Sequence, residues 1–451
     1  MSISTKQPLT TSNNGHENTE EKKHLYLNPN VVGLKESPTL RINQHCKELA
    51  AQGRHIYKLG LGQSPFPVPE PVVNALRLYA PQKDYLHVQG LPELRKAVAD
   101  FHRKKDGVDI LKENVIIGPG SKELLFLLQM VFEGEVIIPS PSWVSYLPQA
   151  KIIGNTIHVL HTKPEEQWRL MPGQLEDFCK ENNAAGDKNY LLILNYPGNP
   201  DGITYSKENI ELLADTARRN NIYILSDEIY GQLHHEGNHV SIAKYYPEGT
   251  IISSGLSKWC GAGGWRLGTF SFPSNLHWLM EAMAAVASET YTSVSAPIQY
   301  AAVTAFLCGD QIETYLWHVR KILSLLGNEF AAIIKRGNIL VNDPTGGFYL
   351  FLDFSPLKEK LHRRGITNGA VLCDRLLDDC GVAILPGVDF NRPAEELSAR
   401  LSYVDFDGAK ALAASYTIPL HEKLPEDFLA RYCSNVIEAA EKIVEWANAD
   451  P

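Results

Sequence analysis

Residues 190–230 read YLLILNYPGNPDGITYSKENIELLADTARRNNIYILSDEIY. An apolar run, YLLIL, breaks at a Pro- and Gly-rich turn, and a helical stretch, KENIELLADTARRN, comes next. A second apolar run, IYIL, then ends on the polar SDEIY. A strand with one wet face alternates apolar and polar residues, so a run lacking a polar side is buried on both faces. Two such runs joined by a helix belong to a mostly parallel sheet with helices on either side. The rhythm extends outward to VII at 115–117, VII at 136–138 and TIISS at 250–254, with SKELLFLLQMVF as another intervening helix. The predicted fold class is α/β, a three-layer α/β/α large domain built on a mostly parallel sheet.

The flanks differ. Residues 37–57 predict an amphipathic helix with Ile42, Cys46 and Leu49 on one face and Gly53 past its end. KLGLGQSPFPVPEP must be a loop, and Leu91–Lys105 a second helix with Pro92 in its first turn. Beyond about residue 320 a long helix (WHVRKILSLLGNEFAAIIKRG) precedes FYLFLDF, a helix at VLCDRLLDDC, then VAILPG and RLSYVDF. Few strands among helices suggest a smaller α+β domain. The expected partition is a disordered N-terminal arm over 1–34, a large domain over 60–320, and a small domain from 35–59 and 321–451.

Bulk composition narrows the function. The chain has 451 residues and a formal net charge of −9, which argues against nucleic acid or an anionic membrane as partner. No stretch approaches the ~18 apolar residues of a membrane span. The first 25 residues are polar and lack a secretory apolar core. Seven cysteines, at 46, 179, 260, 308, 373, 380 and 433, never fall in a C-x-x-C pair, so reduced thiols in a cytoplasmic protein are expected. His234, His235 and His239 crowd YGQLHHEGNHV, which reads as a surface loop without ligand spacing. No metal site is expected.

In doubly wound sheets the ligand lies beyond the carboxyl ends of the strands. Here those ends deliver GPGSKELL, PSWVSY, NYPGNP, SDEIY and GLSKWCGAGGWRLG, each with glycine, hydroxyl, aromatic or charged groups. Ser121 and Lys122 open a helix after Gly118-Pro-Gly120, so their backbone N–H groups face outward with the positive dipole end.

These segments, in this order and over roughly residues 35–405, resemble the class I/II aminotransferases, the pyridoxal 5′-phosphate (PLP) enzymes of fold type I typified by aspartate aminotransferase. The resemblance implies a Schiff-base lysine at Lys258, whose amine must be neutral to attack the aldehyde and can then carry the proton at the substrate Cα. It implies Asp227 at the pyridine nitrogen, and Tyr230 and Asn199 at the ring oxygen. Trp143 would stack on the ring. Phosphate contacts fall to Ser121, Lys122, Ser257 and Arg266, and to Tyr85 reaching a neighbouring subunit, so a homodimer with a shared active site is implied. Arg400 would grip the substrate α-carboxylate, with Gly62 close by. Gly255 departs from the pattern, standing where many members have a serine donor.

The implied reaction moves the amino group of an L-amino acid to a 2-oxo acid. Relatives with the same residues act instead as lyases, cyclases, racemases or oxidases, and fold does not decide among them. A DNA-binding regulator would need a winged-helix domain, for which only about 35 polar residues are present ahead of the similarity. Substrate choice stays open. Lys122 could take a distal carboxylate, whereas Glu289 or Thr290 could meet a basic or polar group.

Overall fold

The computed structural model describes residues 26–182, 186 and 188–450. The expected disordered arm falls largely outside them. Its described part shows one 3-10 turn, Pro29–Val31, in a compact unit that ends at Lys35.

Among the described residues the strands are β1 (Tyr57–Lys58), β2 (Val115–Gly118), β3 (Glu135–Ser140), β4 (Ile157–His161), β5 (Tyr190–Asn195), β6 (Ile222–Asp227), β7 (Thr250–Gly255), β8 (Gly268–Ser271), β9 (Tyr349–Asp353), β10 (Val382–Ala383), β11 (Leu385–Pro386) and β12 (Ser398–Ser402). Seven of them form one sheet in the order β2-β8-β7-β6-β5-β3-β4. The β3–β7 strands pair in parallel and β8 runs antiparallel between β2 and β7.

Successive side chains of these strands feed opposite cores, as the period of two requires. Leu191, Ile193 and Leu225 pack with Leu124, Leu128 and Met280 on one face. Tyr190, Leu192, Leu194 and Ile224 pack with Leu175, Ile210 and Leu213 on the other. Each fully buried leucine or isoleucine is worth roughly 1.5–3 kcal/mol of transfer free energy, which is why polar residues are excluded from these runs. The sequence pattern did not reveal β4 and β8. The β4 strand is a half-buried edge reading IHVLH, and β8 is four residues beginning on glycine.

The second sheet is small and antiparallel, in the order β11-β12-β9. The β1 strand pairs in parallel with β10, Tyr57 opposite Val382, so the segment before residue 60 joins the C-terminal third of the chain. This pairing corrects the first helix. It spans Pro38–Ala51 and turns at Gly53 (φ +85°), because Tyr57 is drawn into a strand. The final helix, Ser434–Asn448, buries Val436, Ala439 and Ile443 in the same core as Ile333 of the long helix Asp310–Arg336. No described helix is long and apolar enough to cross a membrane.

Candidate active site

Strand register builds the floor of the site. Asn195 at the end of β5 lies opposite Asp227 at the end of β6, which lies opposite Ser253 in β7. The Asn195 amide donates to the Asp227 carbonyl (2.7 Å), and its Oδ1 accepts the backbone N–H of Asn199 (2.7 Å). Asp227 is buried, and that burial lifts its carboxyl to about 6, although the Tyr146 hydroxyl (2.6 Å) and the Ser253 hydroxyl (3.2 Å) both donate to it. Tyr146 escaped the sequence reading; it stands three residues after Trp143 and opens the helix Tyr146–Ile153.

Lys258 Nζ donates to the Gly62 carbonyl (2.7 Å) and lies 5.5 Å from the centre of the Tyr230 ring. One cavity is lined by Ser121, Trp143, Asn199, Asp227, Tyr230, Ser257 and Lys258, with Tyr146, Asn195 and Ile229. A larger cleft of about 490 Å³ lies elsewhere, bordered by Pro67, Tyr315, Leu412 and Tyr416, and contains none of these groups. Volume alone does not locate the chemistry.

Glycine clears the anion end. Gly118, Gly268 and Gly255 stand side by side across β2, β8 and β7. A Cβ on Gly268 would come 2.2 Å from the Ser121 nitrogen, so the bare row lets the first turn of the helix Ser121–Val131 settle on the sheet. Gly120 holds φ +91°, and a Cβ there would lie 2.3 Å from an Arg266 nitrogen. The row also accounts for Gly255, because a serine Cβ would sit 2.7 Å from the Leu267 carbonyl oxygen. Arg266 is exposed, adopts φ +56°, and donates to the carbonyls of Gly263 (2.9 Å) and Pro119 (3.4 Å). The Lys122 ammonium lies 5.0 Å from the Trp143 ring centre; burial, with Arg266 and Lys258 nearby, lowers its proton affinity.

Arg400 on β12 is only 1% exposed. It donates to the Gly60 carbonyl and to Asn199 Oδ1, and its guanidinium lies 4.9 Å from the Tyr349 ring centre and 5.1 Å from that of Phe390. Its Nε is buried without a hydrogen-bond partner, and burial lowers its pKa. Tyr349 was also missed. Its hydroxyl shares a 2.8 Å hydrogen bond with Tyr230, and a Cβ on Gly62 would fall 1.8 Å from that oxygen, so position 62 admits only glycine.

Gly62, Lys122, Arg266 and Arg400 do not line this cavity, and three candidates stand at the surface of the single chain: Tyr85, 89% exposed, and the exposed pair Glu289 and Thr290. The histidine loop needs correction. Only its tip, Glu236–Asn238, is exposed, while the imidazoles turn inward and His239 pairs with buried Glu228 at 2.8 Å. Among the described residues no group of three His, Cys, Asp or Glu is arranged to hold a metal.

A family profile described as aminotransferase class I and II matches residues 54–413. The chain is 32% identical to the aspartate/prephenate aminotransferase of Thermus thermophilus, covering 84% of this chain and 94% of that one. It is 30% identical to the asparagine–oxo-acid transaminase of Streptococcus mutans, again over 84% and 94%. Among solved structures, the Thermus thermophilus aspartate aminotransferase with maleate superposes with a TM-score of 0.77 at 28% identity, covering 92% and 99%.

Proposed function

The chain belongs to the class I and II aminotransferases and is a PLP-dependent enzyme acting on amino and 2-oxo acids; from that premise we propose that Lys258 holds the cofactor and that Lys122 selects an acidic amino donor. The observation that carries this reading is the meeting of Lys258, Asp227, Tyr230, Asn199, Trp143 and Ser257 around one cavity. The residues fit the cofactor on two counts and its substrate on a third. A glycine-cleared helix N-terminus beside Arg266 suits a phosphate, a buried carboxylate at Asp227 suits a protonated ring nitrogen, and the orphaned Nε of Arg400 suits a substrate carboxylate.

When bound, PLP supplies an aldehyde through which an amino group is exchanged and a ring that withdraws electrons from Cα. The chain does the rest. Lys258 Nζ, freed when the substrate amine takes its place, would carry the proton from the substrate Cα to the cofactor carbon. Asp227, oriented by Tyr146 and Ser253, would keep a proton on the ring nitrogen. Tyr230 and Asn199 would donate to the ring oxygen, and Trp143 would stack on the ring. The backbone N–H groups of Ser121 and Lys122, with Ser257 and Arg266, would hold the phosphate, and Arg400 would orient the α-carboxylate near Gly62.

Lys122 supports an acidic donor because its ammonium lies 5.0 Å from the ring centre of Trp143, a residue of the cavity wall, whereas Glu289 is exposed. Relatives named for aspartate, and the structure solved with maleate, agree with a dicarboxylate. The exposure of Tyr85 and Arg266 supports a homodimer in which the partner completes the phosphate end. The seven-strand sheet and the two smaller sheets, built from β1 and β9–β12, support a division into a large domain (60–320) and a small one (35–59 and 321–451). The seven free cysteines suit a reducing cytoplasm.

The test is borohydride reduction of the PLP-loaded enzyme, then peptide mass analysis. The cofactor mass is expected on Lys258, and aspartate or glutamate alone should release stoichiometric 2-oxo acid. Label on another lysine, or none, would overturn the assignment. Release of ammonia or peroxide would redirect the reaction to a lyase or an oxidase.

A further inference from the structure

We propose that Tyr349 is a positioning residue that keeps the Tyr230 proton aimed at the cofactor ring oxygen, an inference that rests on the reading of Tyr230 above. Both phenols are buried, their rings meet edge-on at 82°, and their oxygens lie 2.8 Å apart. Each phenol carries one proton, so within the pair only one can donate to the other. If Tyr230 donates to Tyr349, it has no proton left for the cofactor. If Tyr349 donates, the Tyr230 proton is free, and the chain of two hydrogen bonds strengthens the outer one.

The surroundings favour the second arrangement. The Arg400 guanidinium lies 4.9 Å from the Tyr349 ring centre, closer than the 5.5 Å between Lys258 Nζ and that of Tyr230, and a cation on a ring face draws electrons from the phenol it covers. The bare backbone of Gly62 leaves room for the Tyr349 hydroxyl to sit against Tyr230, since a Cβ there would lie 1.8 Å from its oxygen. Tyr349 and Arg400 also belong to one sheet: Tyr349 pairs with Ser402, and Arg400 with Phe351. The strand pair that carries the substrate-carboxylate arginine thus also sets the donor at the cofactor.

Tyr349→Phe removes only the oxygen. The readout is the pH titration of the bound cofactor's absorbance, measured without substrate. The midpoint should rise by about half a pH unit, the scale of one modest hydrogen bond, with the thermal midpoint of the loaded enzyme close to that of the native protein. Tyr230→Phe should raise it further. Adding Tyr349→Phe to Tyr230→Phe should change nothing more, because Tyr349 acts through Tyr230. An unshifted Tyr349→Phe titration beside a shifted Tyr230→Phe one overturns the inference alone, as does a Tyr349→Phe shift that persists without the Tyr230 hydroxyl. A Tyr230→Phe titration identical to the native one instead removes the reading of Tyr230, and this inference falls with it.

Discussion

Arg266 lies beside the Gly120–Ser121 turn and Arg400 beside Asn199, and the chain treats the two guanidiniums in opposite ways. Arg266 is exposed, sits on left-handed backbone and is held by two loop carbonyls. Arg400 is buried on a strand between two aromatic rings, with one nitrogen lacking a partner. An exposed cation keeps its charge at little cost, but solvent and salt weaken its grip. A buried cation is costly to maintain, yet in a low-dielectric setting it discriminates strongly between a matched and a mismatched anion. The contrast suits an open end that retains a permanent cofactor and a closed end that selects each incoming substrate.

The largest effect should come from Arg400→Lys, which keeps the charge and loses the fork. We expect kcat/KM to fall by about 10²–10³, the range for a buried charge-assisted pair, with cofactor absorbance unchanged. A loss under tenfold would erase the distinction between the two ends. Asp227 sharpens it, being buried like Arg400 but served by neutral donors. Its carboxyl titrates at about 6 when folded, above the ordinary 3.8, so the ionised form is disfavoured by folding. That penalty is absent below the unfolded value, where the group is protonated in both states, grows between the two values, and is complete above about 6. Cofactor-free Asp227→Asn should therefore be more stable than the cofactor-free native protein at pH 7, by ~3 kcal/mol at most, and no more stable at pH 3.5. Chemical denaturation at the two pH values reads this, and an equal difference at both contradicts it.

A smaller effect is expected at the open end. Arg266→Lys should weaken PLP binding by about tenfold and make it more salt-sensitive, with kcat at saturating cofactor nearly native. Equilibrium dialysis at two ionic strengths measures both. Smallest is Lys122→Ala, expected to lower kcat/KM for aspartate about fivefold to tenfold relative to a neutral amino acid, as removal of a half-exposed ion pair would. Equal losses for both donors would remove Lys122 from substrate selection.

Much of this was legible because burial on both faces leaves a one-dimensional trace. YLLIL and IYIL could be nothing but central strands, and the residues at the carboxyl end of each had to face the ligand. The β4 edge left no such trace, since half-buried residues tolerate both kinds of side chain. Tyr146 and Tyr349 were invisible for another reason. Each reaches the site through a hydroxyl bonded to a candidate residue 81 or 119 positions away in sequence, and no local spacing encodes that meeting. The histidine loop misled because polar text was read as wet, when the pairing of His239 with Glu228 turns it inward.

The three glycines abreast on β2, β8 and β7 act by absence, as a clearance machined into the sheet rather than a contact made by it. Damage to a clearance has its own signature. A single methyl group at Gly268 would press on the backbone of Gly120 and Ser121 and lift the turn that begins there off its seat. Such a variant would melt below its parent and arrive from purification pale.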